Sequence, residues 1–383
     1  MLFSLPAEIM RVSFLSTQER ALRPHRLFFW TIAIAGGLLE TWPYRFSIKP
    51  DGLNYLDIAS AYARHDWAAA INSYWSPLYS WLLAAAFRLF HPSPYWESTA
   101  LHVLNFFIFL LVFRCGEFFL SELIANRGED RLPSWAVWWI GYSLLIFVCL
   151  FMIRLYHDTP DLLVSGLVYL AAGLLLRIRS GHASQSVFAA FGVVLALAYF
   201  SKTVMFLLAF VFLLAAGLRR GTILALACFV GVSMPWIAVL SHATGHLTYG
   251  DVGPESYIFY VAHSGVPVHP PRLIFSSPPV REFASPIQAT YPPWYNQAYW
   301  LAGVHPRFDW RAQAHVIAGT TVEYLRFLYG QKEFVVGFLV LLLASLRSFK
   351  PRWWILLPPL AALGLYFLVL VVTFPPFSAH RGI

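Results

Sequence analysis

Charge is what this chain has least of. Charged residues fill 12% of its 383 positions, against roughly a quarter in an ordinary soluble domain. With 58% hydrophobic residues and a mean hydropathy of +0.61, that scarcity excludes a water-soluble globule and points to an integral membrane protein. Cysteine is nearly missing: Cys115, Cys149 and Cys228 lie in or beside apolar runs without paired spacing, which argues against a disulfide framework and a zinc site. There is no Gly-rich phosphate loop, nucleophile elbow or zinc motif, so those chemistries have no residues to carry them. No short internal repeat appears, which leaves a solenoid or a repeat-built transporter without support.

Apolar runs are what the chain has most of. A helix needs about 20 apolar residues to cross a bilayer, and runs near 27–42, 97–113, 134–153, 162–177, 186–200, 203–218, 222–240, 334–346 and 353–373 are expected spans. The Arg residues from Arg11 to Arg26 precede the first run and no small-residue cleavage site follows it, so that run is expected to be retained. The segment 76–90, "SPLYSWLLAAAFRLF", begins at a proline and is short for a crossing. If it does not cross, the basic clusters at 11–26, 114–131, 177–179, 219–220 and 347–352 all fall on one side, which the positive-inside rule makes cytoplasmic. The net charge of +8 then reports topology, and no nucleic-acid partner is expected. The opposite face receives 43–75, "RLYHDTPD", "SK" at 201–202, and a long Pro- and aromatic-rich stretch, 241–333, suited to a folded cap.

Three constellations on that outer face carry possible chemistry. In "KPDGLNYLDIASAY" (49–62), Asp51 stands at a helix start with Asp57 farther along; Asp51 suits either an N-cap or a reacting carboxylate, and Asp57 a solvated helix position. In "YHDTPDLL", His157, Asp158 and Asp161 stand at the mouth of a span; Asp158 or Thr159 would cap the helix there and Asp161 would favour its positive end, or the acids would bind a cation or substrate hydroxyls. The pattern is too short to name a metal. Lys202 lies alone between two apolar runs, where a bare ammonium costs roughly 3 kcal/mol; it either snorkels to headgroups or takes an anion such as a lipid phosphate. Tyr74, Trp75 and Trp81 read as interface aromatics, and His242, His246, His263, His269 and His305 show no ligand spacing.

Four stretches in order, "PDGLNYLDIASAY", "YWSPLYSWLLAAAFRLF", "TPDLLVSGLVYLAAGLLLR" and "LALAYFSKTVMFLL", make the chain resemble the membrane-embedded GT-C glycosyltransferases, specifically the family 39 group of protein O-mannosyltransferases and the lipid A aminoarabinose transferase. The likeness covers roughly residues 27–220. It implies an all-α polytopic bundle of about nine to ten membrane segments: a catalytic module over 1–240, a cap loop over 241–333, and C-terminal segments over 334–383. It also implies sugar transfer from a polyprenyl-phosphate-linked donor on the extracytoplasmic face, to a lipid, glycan or protein acceptor, with inversion. The family's acid after the first span, its base or acceptor-orienting group, falls on Asp51, and its later carboxylate on Asp161. Its phosphate-binding lysine falls on Lys202, with Asp57, Asp158 and Tyr55 as further expected substrate contacts. The family's usual Asp-Glu is Asp51-Gly52 here, and Tyr74-Trp75 stand where the aminoarabinose enzyme has an acid-Lys pair, so that particular substrate is not expected. The chain stops at "FPPFSAHRGI", as a shortened member or a fragment would. No cofactor is expected and a divalent metal is left open. The rival readings are a lipid or solute transporter, with charges near the midplane, and a non-catalytic envelope assembly protein whose cap binds a partner.

Overall fold

A computed structural model describes residues 7–126, 133–181, 183–262, 272–282, 287–296, 299, 304, 307–330 and 353–368. Helices dominate them. The order is α1 (Ala7–Thr41), α2 (Pro50–Ala63), α3 (Trp67–Ala70), α4 (Pro77–Phe90), α5 (Pro94–Asn126) and α6 (Ser134–Phe147), which runs on as a π-helical turn to Ile153. Then come α7 (Asp161–Arg179), α8 (Gln185–Ser201), α9 (Val204–Ala216), α10 (Arg220–Thr244) and α11 (Val252–Tyr257). A two-stranded antiparallel hairpin, β1 (Arg272–Ser276) with β2 (Pro279–Glu282), is the departure from an all-α chain. After it stand α12 (Pro292–Tyr295), α13 (Trp310–Gly330) and α14 (Trp353–Leu368). The expected span at 334–346 and the loop residues His263, His269 and His305 lie outside the described residues.

Among the described residues, four helices are long and apolar enough to cross a membrane: 94–126, 134–153, 161–179 and 220–244. The chain is a helical membrane protein on that ground. The expected runs at 186–200 and 203–218 form α8 and α9, both apolar and shorter. Helix α4 has 14 residues, about 21 Å of rise against a hydrocarbon core of about 30 Å. It lies tucked in: Tyr79 and Leu83 are fully buried, and the helix packs against α2 and α5.

Close packing in hydrocarbon comes from small residues and satisfied polar groups. At Gly192, a Cβ would stand 2.1 Å from the Ala225 carbonyl oxygen, so only glycine lets α8 lie this near α10. Buried Glu117 on α5 accepts hydrogen bonds from Arg26 (2.9 and 3.0 Å), Trp30 (2.7 Å) and Tyr142 (2.7 Å), tying α1 and α6 to α5. Arg177 of α7 pairs with Glu122 of α5, and Arg219 donates to the Ile178 carbonyl. Arg26, Arg114 and Arg177 thus gather around two acids of α5 at one end of the bundle, and Arg219 joins them through the Ile178 carbonyl.

The other end is built differently. Helix α6 ends through its π turn at Arg154, whose φ of 69° reverses the chain. The non-helical 155–160 segment exposes carbonyls that need donors. Asn105, fully buried in α5, supplies them, donating to Leu155 O and His157 O at 3.0 Å each. Tyr79 of α4 holds that amide through a 2.7 Å bond to its Oδ1. This relay from α4 through α5 fixes the loop carrying Asp158 and Asp161.

Candidate functional site

Asp161 is the first residue of α7, and Lys202 follows the last residue of α8 in an extended conformation (φ −156°, ψ 125°). Because the two helices run antiparallel and in contact, the ends meet: Lys202 Nζ lies 2.5 Å from Asp161 Oδ1. Thr159 donates to the other oxygen at 2.8 Å. Neither side chain is sealed, with 32% and 42% of their surfaces exposed. Lys202 therefore has a carboxylate partner while its side chain stays part-exposed.

Asp51 does not cap its helix. Lys49 is the N-cap and Pro50 the first helical residue, which leaves Asp51 in the first turn facing Trp294 of α12, whose indole N–H donates to Oδ1 at 2.8 Å. Burial raises the Asp51 carboxyl above the usual range, the Trp294 bond opposes that, and the charges of Asp161 and Lys202 both reach it. Three residues from separate stretches of chain are therefore one electrostatic cluster at one end of the bundle.

Asp158 is fully buried and does not cap α7 either. It reaches across to α2, where the Lys49 backbone N–H donates to Oδ2 at 2.7 Å. Space for it exists because residue 52 is glycine: a Cβ there would stand 1.7 Å from Asp158 Oδ2. The carboxyl is pushed up to about 6, chiefly by burial, with the Asp51 charge adding to it. Asp158 thus joins the 154–161 loop to the start of α2 and sets where Asp51 sits. Nearby, burial and the charges of Lys49 and Arg154 push the His157 imidazole down to about 4, so it is neutral at physiological pH.

Tyr55 sits one turn beyond Asp51, 5% exposed, edge-on to Trp75 and Tyr79 at 5.0 and 5.2 Å. Burial raises its phenol well above the usual value, and Asp161 and Asp51 are the charges nearest in effect. It forms the floor beside the cluster. Asp57 is elsewhere: its carboxylate accepts from Thr290 N and Thr290 Oγ1 at 2.6 and 2.8 Å, and it clamps the outer segment to α2. Of the residues that the sequence nominates, Asp51, Asp158, Asp161, Lys202 and Tyr55 come together and Asp57 does not.

Sequence reasoning missed two members. Trp294 is separated from Asp51 by 243 positions, and nothing in "ATYPPWYNQAYW" announces which acid it meets. Lys49 supplies a second cation felt by Asp158 and Asp51; its adjacency to Asp51 was the available signal. Trp75 is buried, donating to Trp294 O at 3.0 Å, so it is a wall of the site and not a bilayer marker. Among the described residues no group of three His, Cys, Asp or Glu is arranged to hold a metal ion. No protein-family model, curated protein or solved structure matches the chain.

Proposed function

We propose that the protein is a membrane glycosyltransferase of GT-C type, about nine to ten segments long, that moves a sugar from a polyprenyl-phosphate-linked donor to an acceptor on the extracytoplasmic face. The observation that carries this reading is the junction of Lys202, Asp161 and Asp51 at helix ends. A lipid donor holds its phosphate at interface depth, and a lysine side chain that is part-exposed there complements it. The basic residues at the other end of the bundle support a cytoplasmic assignment for that end.

The chemistry follows from the groups present. Asp51 takes the proton of an acceptor hydroxyl; the hydroxyl oxygen bonds to the anomeric carbon as the bond from that carbon to phosphate oxygen breaks. The polyprenyl phosphate leaves with its new charge facing Lys202, and Lys49 adds positive potential. A carboxylate whose affinity for protons is raised by burial is a better base near neutral pH, and a fixed ammonium stabilises charge that develops on the leaving group. Asp161 orients Lys202, and Asp158 positions Asp51.

A transporter would place its ionisable groups near mid-membrane on broken helices; here they lie at the first turn of α2, the start of α7 and the end of α8, which favours the enzyme. The test is turnover of radiolabelled polyprenyl-phosphate hexoses and pentoses by the purified protein in nanodiscs. Asp51→Asn should lower transfer by about 10²–10⁴-fold while the protein remains folded. A folded Asp51→Asn protein with full transfer removes Asp51 as the base, and movement of unmodified donor without a glycosylated product favours the transporter.

A further inference from the structure

Beside the charged cluster lies a cavity of about 620 Å³ between the 67–74 segment, the end of α10, α11 and the outer segment around Tyr295. Its size suits a small organic ligand. Among the described residues no Lys or Arg lines it. It is bounded by rings: Trp67, Tyr74, Tyr295 and Tyr299. Several wall groups are already committed. Asn72 donates to Tyr295 O at 2.7 Å and accepts from the N–H groups of Tyr74 and Trp75, and the Tyr295 hydroxyl donates to Ala69 O. Asp251 Oδ1 accepts from Thr248 at 2.7 Å and His246 at 3.1 Å. The walls are preorganised.

One group is not committed. Glu255 of α11 lines the cavity, is 5% exposed, and its Oε2 has no hydrogen-bond partner. Burial first, then the neighbouring Asp251, pushes this carboxyl up to about 8, so it stays protonated at neutral pH. A neutral carboxyl offers one donor and one acceptor side by side, the complement of a hydroxyl-bearing ring, while aromatic walls suit the ring's C–H faces. The cavity also adjoins the cluster. Tyr74 packs edge-on to Trp294 at 6.3 Å, and Trp294 holds Asp51.

We propose that this cavity is a carbohydrate-binding site, with Glu255 contacting ring hydroxyls, and that it holds the acceptor whose free hydroxyl passes the Tyr74–Trp294 pair to reach Asp51. Binding stands on the cavity alone; the acceptor role rests on the transferase reading.

Saturation-transfer NMR tests it, using the full-length protein in amphipol, free of sugar detergents. The probes are methyl α-D-mannopyranoside, methyl β-D-galactopyranoside and methyl α-D-arabinofuranoside, with ethanolamine and inorganic phosphate as competitors. At least one glycoside should bind. Glu255→Ala should weaken it about tenfold, a difference of about 1.4 kcal/mol, Glu255→Gln should largely restore it, and Lys202→Met should leave it unchanged. Trp67→Ala, at a position 56% exposed, serves as the cavity variant should Glu255→Ala fail to fold, and should also weaken binding. Absence of binding to all three glycosides, indifference to the Glu255 and Trp67 changes, or displacement by ethanolamine at lower concentration than any glycoside overturns the proposal, the last in favour of an amine site. Glycoside binding without any sugar transfer removes the acceptor role and the transferase reading while the binding site stands; transfer that ignores Glu255 and Trp67 removes the site alone.

Discussion

Lys202 Nζ and Asp161 Oδ1 stand 2.5 Å apart across 41 positions of chain, each at the terminus of its own helix and each on a part-exposed side chain. The pair couples two jobs. Asp161 holds the ammonium in place, and the part-exposed lysine side chain is the group that the proposed reading assigns to the donor phosphate.

Replacing Lys202 by Met leaves the Asp161 carboxylate without its cation, so thermal unfolding of the variant accompanies the kinetics. Transfer should fall by about 10²–10³-fold, with donor KM rising, and Lys202→Arg should recover part of the loss. Kinetics with a titrated donor check this; a Met variant with unaltered kcat/KM would show that the donor phosphate sits elsewhere.

Gly52 and Asp158 should behave as one unit. Gly52→Ala places a methyl where Asp158 Oδ2 now lies, and the loop cannot swing freely because Asn105 holds it. The expected cost is about 1–3 kcal/mol. In the double variant Gly52→Ala with Asp158→Ala, the loss should be smaller than the sum of the singles. Thermal unfolding of all four proteins measures that coupling, and simple additivity would mean that the carboxylate does not occupy the notch.

Asp57→Ala removes both bonds to Thr290. The outer segment 287–296 should become more sensitive to limited proteolysis, while the chemical step suffers far less than in Asp51→Asn. Equal damage to catalysis from both substitutions would return Asp57 to the site.

Glu255 predicts a pH signature. Its carboxyl titrates near 8 in the folded protein against an ordinary 4.5, so between those values the folded state keeps a proton that the unfolded chain has released. Its stabilising contribution is therefore whole below about 4.5 and drains away as pH rises to about 8, at up to about 1.4 kcal/mol per unit. Glu255→Gln, which has no proton to lose, should match the parent near pH 4.5 and unfold at a higher temperature than the parent at pH 8.5. Tryptophan fluorescence across that range reads the gap, and a constant difference at all pH values would show that Glu255 titrates normally.

Asn105 and Glu117 mark how far local pattern could reach. Both lie in one apolar run, 97–113 and its continuation, and hydropathy identifies that run as a span because water-to-lipid transfer is a sum over neighbouring residues. The same run says nothing of the Leu155 and His157 carbonyls or the Arg26 guanidinium that these side chains meet. The 272–282 hairpin was equally invisible within a Pro- and aromatic-rich stretch, where no clean alternation signals a strand.

By itself, the order of residues determined that this is a helical membrane protein, and that Lys202 must reach either water or an anion, because an isolated charge in hydrocarbon is too costly to leave alone. Which anion, and in what company, was decided only when α7 and α8 packed antiparallel and brought their ends together. Tertiary structure likewise turned Gly52 from a gap in a motif into the notch that admits Asp158, and brought Trp294 to Asp51. Backbone and side-chain preferences are set by near neighbours along the chain, whereas these contacts join groups from 41 to 243 positions apart, and only the packed fold sets such distances.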